Sequence, residues 1–242
     1  MDLVLIALLT FVAAGLGTLT GFGTSTLMVP VLASFYPLTQ ALLLVGIVHW
    51  FGNIWKMGLF RQGLRWGLIL KFGIPGIVAT VLGGLLVFRI PETLLSRVLG
   101  AVLLAYVILL FVRNRFKVPQ TSATAIAGGT LYGFSAGVFG IGGAVRGAFL
   151  ATFDLPKAVY IATAGAIGIV VDSGRLAAYA WEGATLSPRL LWGLLLLVPV
   201  SFAGAKVAER VVERIPQARF RSVVAVFLCL IGLQLLLFPR LA

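Results

Sequence analysis

The chain of 242 residues is 60% hydrophobic and only 11% charged, with a mean hydropathy of +1.10. A composition this apolar, with no polar domain between its apolar stretches, excludes a soluble enzyme, a nucleic-acid-binding module and a single-pass receptor. The formal charge of +12, from 19 Lys and Arg against 7 Asp and Glu, is first a topology signal, because cytoplasmic loops of bilayer proteins collect Lys and Arg.

The first apolar run, residues 3–20, has no Lys or Arg ahead of it and lacks the basic region of a signal peptide, so it reads as a retained helix. Turn and charge markers delimit further apolar segments at 22–35, 38–59, 66–88, 93–112, 122–140, 142–153, 157–180, 188–208 and 218–238. Segments 22–35 and 142–153 fall short of the roughly 20 residues a helix needs to cross hydrocarbon. Each follows a glycine cluster, Gly21-Phe22-Gly23 and Gly140-Ile141-Gly142-Gly143. Cys229 stands alone in the last run, so no internal disulfide is possible.

The two short segments hold corresponding places in an internal repeat. An ungapped offset of 119 residues superposes Gly21 on Gly140, Gly23 on Gly142, Pro37 on Pro156, Asn53 on Asp172, Lys56 on Arg175 and Phe60 on Tyr179. Further on the offset widens by a few residues, and Pro75 meets Pro199 while Pro91 meets Pro216. The linker, residues 113–119, is basic and ends in proline.

Loop charge then sets the orientation. With Lys56, Lys71, Arg146 and Arg175 set aside as candidates for intramembrane positions, ten crossings with an outside N-terminus place 11 basic residues inside against 4 outside. Re-entrant short segments give at best 7 against 8, no bias at all. Five crossings per half is an odd number, and an odd number makes the second repeat enter the membrane upside down.

Two constellations carry chemistry. A helix broken at mid-membrane exposes backbone N–H groups at the positive end of its dipole, which suits an anion. In the first half the break is followed by the hydroxyls of Thr24, Ser25 and Thr26; in the second it is followed by Gly143 and then Arg146. Glycine spacing of this kind also serves close helix packing, but recurrence before two undersized segments favours a binding site. The second constellation is two helical faces, His49, Asn53 and Lys56, and Asp172, Arg175 and Tyr179. Intramembrane charges cost about 2.5–3.5 kcal/mol each on insertion scales, and so mark a pathway or pair with one another. The competing reading is an i, i+3 pair between Asp172 and Arg175 that merely neutralises both, with Lys56 snorkelling to the interface.

Other chemistries lack support. Ser25 and His49 form no nucleophile elbow, Gly140-Ile141-Gly142-Gly143 is neither a Rossmann nor a P-loop fingerprint, and one Cys with one His offers no metal-ligand spacing.

The same residues resemble the TauE/SafE sulfite exporter family of sulfur-anion permeases, across essentially the whole chain. The resemblance is carried by the glycine cluster before a short apolar run ending in Pro30, by Asn53 with Lys56, and by Asp172 with Arg175 and Tyr179. It implies movement of sulfite, organosulfonates or related sulfur anions across a prokaryotic cytoplasmic membrane, energised by an ion gradient. Two features depart from the family pattern: Gly21-Phe22-Gly23-Thr24 replaces a glycine run, and Arg146 stands where the family often has an uncharged residue.

The expectation is an all-α integral membrane protein, a helical bundle of two inverted-topology repeats (residues 1–117 and 120–242) with about ten segments, two of them glycine-led half-helices. It is a secondary transporter, not an enzyme, without cofactor or metal; an uncoupled anion channel is the alternative. Gly21, Gly23, Thr24, Ser25, Thr26, Asn53, Lys56, Gly142, Gly143, Arg146 and Arg175 are the expected substrate ligands, and His49, Asp172 and Tyr179 the coupling candidates. Expected partners are a small sulfur anion, the lipid bilayer, a proton or sodium ion, and in an oligomer a second copy; no nucleic acid is expected. Both termini are expected outside a multi-pass inner-membrane protein.

Overall fold

A computed structural model describes residues 2–20, 23–60, 63–112, 119–211, 226, 229–230 and 232–238. The helices are α1 (Leu3–Thr20), α2 (Ser25–Ala33), α3 (Leu38–Leu59), α4 (Trp66–Val87), α5 (Glu92–Val112), α6 (Ser122–Phe139), α7 (Gly143–Leu150), α8 (Lys157–Trp181) and α9 (Pro188–Val211). Residues 232–237 add helical turns from the last apolar segment, and no strand occurs among the described residues. Four helices are long and apolar enough to cross a membrane by length and composition: α3, α4, α8 and residues 188–210 of α9. The chain is an all-α membrane protein.

Prolines and a threonine set where helices begin. Pro37 and Pro156, matched in the repeat, occupy the N-cap positions of α3 and α8, and the Thr121 hydroxyl caps α6 by accepting from Thr124 N at 3.2 Å. Along the middle of α4 large apolar side chains face outward and small ones inward. On α4, Leu70, Ile74, Val78 and Leu82 form one exposed stripe at successive i, i+4 positions, while Gly73, Gly76, Thr80 and Gly83 are buried. That polarity suits a lipid surround, where small residues let helix backbones meet.

The bundle has two ends. Asp2 pairs with Arg189 and Arg89 with Glu182, both at 3.2 Å, and Glu92 accepts from the Leu38 amide at the same end. At the other end Arg65 N donates to Thr163 Oγ1 (3.2 Å), and Leu19, Phe60, Leu64, Tyr160 and Ile161 pack together. Lys71, set aside above as a candidate intramembrane charge, is exposed at this second end, its Nζ 2.7 Å from Ser122 Oγ, and so counts with the loop charges.

Contacts between helices fix their directions. Gly129, Gly133 and Gly137 lie against the backbone of Phe72, Gly76 and Thr80, so α6 runs parallel to α4. Leu3 meets Gly193 and Phe11 meets Gly204, so α1 runs parallel to α9. Gly165 faces Asn53 while Gly46 faces Arg175 and Leu176, so α3 and α8 are antiparallel. The first helix of each half thus lies beside the fourth of the other, and the third helices cross-pack in opposite senses.

The short helices are half-helices. α1 reaches from Asp2 to the Leu19 cluster, about 27 Å at 1.5 Å per residue. Gly23 sits beside His49 at the middle of α3, and α2 climbs from there back to the first end over only about 13 Å. α7 does the reverse, starting beside Tyr132 and ending with Phe149 against Gly128 near the second end. The apolar run 142–153 is therefore an eight-residue helix followed by a 3-10 turn over Ala151–Phe153. Breaks are made possible by Gly23 (φ +84°) and Gly140 (φ +67°), conformations that L side chains rarely adopt.

At Gly133 an added methyl would strike the Gly76 carbonyl oxygen, whereas at Gly58 it would meet nothing. Gly133→Ala is expected to cost about 1–3 kcal/mol as an overpacked contact. Thermal unfolding in detergent checks this: a lowered midpoint for Gly133→Ala with an unchanged or raised one for Gly58→Ala is the expected result.

Candidate functional site

Where α3 crosses α8, beside the starts of α2 and α7, lies a cluster of buried polar side chains. His49, Asn53, Lys56, Arg146, Asp172 and Arg175 are each 2% exposed or less. Asp172, the one buried carboxylate among the described residues, organises them. Its Oδ1 lies 2.8 Å from Arg175 Nη2; its Oδ2 accepts from Asn53 Nδ2 at 3.0 Å and lies 2.8 Å from His49 Nδ1. Lys56 Nζ donates back to Asn53 Oδ1 at 3.3 Å. Lys56 therefore bends into the bundle instead of snorkelling to an interface.

The network has the symmetry of the sequence repeat. Asn53 and Asp172, matched by the 119-residue offset, bond to each other across the antiparallel α3 and α8. Lys56–Asn53 and Arg175–Asp172 are the same i, i+3 pair in the two halves. The repeat partner of His49 is Gly168, and this glycine lets Asn53 and Arg146 approach: a methyl there would lie within 2.7 Å of Arg146 Nη1.

Arg146 enters from α7, its guanidinium 5.1 Å over the Tyr132 ring and its Nη1 3.3 Å from the Tyr132 hydroxyl. Arg175 Nη1 also donates to the Ala136 carbonyl at 3.4 Å, at the C-terminal end of α6. With one carboxylate against Lys56, Arg146 and Arg175, the cluster carries a net +2 in ordinary charge states. Such an excess in low dielectric is a demand for an anion.

At the first break, Thr24 is 1% exposed, and neither its Oγ1 nor His49 Nε2 has a hydrogen-bond partner among the described residues. These atoms border one spot: Nε2 faces Gly23, and Thr24 Oγ1 faces Gly52, on the turn of α3 beside His49. Ser25 and Thr26 are buried in the first turn of α2. Gly142 is the N-cap of α7 and Gly143 its first residue, so the second break also presents a helix N-terminus. Gly21 lies outside the described residues.

Not every expected residue joins the cluster. The Tyr179 hydroxyl donates to the Gly137 carbonyl at 2.6 Å, which ties α8 to α6 and leaves the anion side to Arg175. Tyr132 and Gly168, which the sequence did not single out, also border the cluster, as does Gly140 of the second glycine motif; the repeat offset links Gly168 to His49. Among the described residues no group of His, Cys, Asp and Glu could hold a metal ion.

The cluster is closed toward the first end by packed Met28, Leu32, Leu42, Leu44 and Val45. Toward the second end, Met57 and Phe60 follow Lys56 along α3 and line a cavity of about 300 Å³ with Leu64, Trp66 and Ala162. Breaking the network should be costly: Asp172→Asn leaves Arg175 buried beside a neutral group, an expected loss of about 3–5 kcal/mol. Denaturation in detergent tests this, and Asp172→Asn with Arg175→Gln together should recover part of the loss; an unchanged midpoint in the single variant would contradict it.

The family model for the sulfite exporter TauE/SafE matches residues 6–235. No curated protein matches the chain closely. The chain belongs to the TauE/SafE family, a family of membrane exporters of sulfite-type compounds.

Proposed function

We propose that this TauE/SafE-family chain is a secondary transporter that binds a small sulfur oxyanion, of the sulfite or organosulfonate class, at the net-positive cluster between its two helix breaks. The backbone N–H groups at Gly23, Gly142 and Gly143 and the hydroxyls of Thr24, Ser25 and Thr26 hold the anion's oxygens. Asn53 adds an amide donor, and Lys56, Arg146 and Arg175 compensate its charge. The two halves, residues 1–117 and 120–242, act as inverted repeats that rock about the fixed site and expose it to each side in turn. His49 and Asp172 link this motion to an ion gradient, with Tyr179 fixing α8 against α6. In a prokaryotic inner membrane the end bearing Arg65 and Lys71 faces the cytoplasm and both termini lie outside.

The observation that supports this reading most is the meeting of Asn53 with Asp172, equivalent positions of two oppositely directed helices, inside a cluster of three cations and one carboxylate. Burial to 2% or less also argues for a carrier over an uncoupled channel, which needs a continuous water path past these residues.

Proteoliposomes separate the two. Wild-type protein is expected to accumulate sulfite against its gradient when a pH or sodium gradient is imposed, and Lys56→Ala with Arg146→Ala to lower the rate by about tenfold or more, some 1.4 kcal/mol of lost anion affinity. Flux that only dissipates the sulfite gradient would make the protein a channel. Full transport by the double variant would remove the cationic cluster from the anion site.

A further inference from the structure

The two nitrogens of His49 have different surroundings. Nδ1 stands in ion-pair contact with Asp172 Oδ2 at 2.8 Å, a distance at which a lone pair would be repelled by the carboxylate oxygen, and on that ground the proton of the neutral ring is assigned to Nδ1. In the neutral ring Nε2 is then an acceptor. It is buried, has no hydrogen-bond partner among the described residues, and points at the break: a methyl on Gly23 would come within 2.6 Å of it. An oxyanion held at the start of α2 would present a second acceptor to this nitrogen. Two acceptors meet only with a proton between them.

We infer that His49 Nε2 and the bound oxyanion share one proton, so that anion and proton enter the site as a unit. This rests on the anion site proposed above and goes further by making the coupling ion a proton and placing it at one atom. The step makes and breaks no bond to sulfur. A dianion is joined by one proton from water, forming an Nε2–H bond and an imidazolium; a monoanion bearing O–H donates that hydrogen to Nε2 directly.

The groups around the ring are Asp172 and, through it, Arg175 on α8; Asn53 and Lys56 on α3 itself; Arg146 on α7; and the Gly23 backbone and Thr24 hydroxyl at the start of α2. Asp172 is already engaged by Arg175, Asn53 and His49 Nδ1, which leaves Nε2 as the atom of this pair that faces the break.

Calorimetry of sulfite binding to detergent-purified protein, in buffers of different ionisation heat, counts the protons taken up. At about pH 8.5, two units above the ordinary histidine value of about 6.5, sulfite is dianionic and the free ring neutral. Wild type should take up about one proton per sulfite, and Thr24→Val should bind more weakly with the same count. His49→Gln should bind sulfite with a count near zero; if that variant does not fold, His49→Asn, whose amide is too short to reach the break, replaces it. Zero uptake by wild type, or an undiminished count without the imidazole, would overturn the inference while leaving the anion site in place. A wild type that does not bind sulfite would overturn both.

Discussion

The carboxylate of Asp172 is the point on which the structure turns. From α8 it holds Arg175 on its own helix and Asn53 and His49 on α3. A lone charge at this depth would be expelled to water or neutralised; here one negative group serves several donors and lets two further cations stay inside. The cost of burying charge is thereby converted into geometry. α3 and α8 are pinned at the level where both short helices begin, and the surplus of positive charge is aimed at the same place.

The half-helices follow from a second constraint, that backbone groups in a bilayer need partners or a polar cavity. A helix broken at Gly23 would leave its N–H groups stranded against lipid, but here the break sits against His49, Gly52 and Gly17 inside the bundle. The close glycine contacts of α6 with α4 and of α9 with α1 hold this arrangement together without large side chains at the interfaces. The proposed transport draws on the same features: a polar cluster with packed apolar side chains toward one end and a cavity toward the other would change its access if the two repeats shifted about it.

Much of this was legible in the sequence because hydropathy and proline placement act locally. The bounds of α3 agree with the apolar run between Pro37 and Arg61, and those of α8 with the run after Pro156 to within a residue. The doubling of Gly23 with Gly142 and of Lys56 with Arg175 picked out residues that lie at the starts of the short helices and where α3 crosses α8. The i, i+3 ion pair of Asp172 with Arg175 that the sequence allowed is present, and Asp172 also contacts Asn53 and His49. What periodicity could not reveal was tertiary. That Tyr179 turns to the Gly137 carbonyl, and that Tyr132 lies beneath Arg146, depends on how α6 packs on α7 and α8. The depth at which α2 begins depends on the φ of one glycine.

The most direct test of the anion site is to find the anion. Selenite has the shape and charge of sulfite and a strong anomalous signal, so crystals grown with it should show one selenium peak between the two helix breaks, its oxygens within hydrogen-bond reach of Thr24 Oγ1 and His49 Nε2. A peak confined to the surface cleft lined by Arg65 and Lys71, with the Asp172 cluster unchanged and empty, would contradict the account.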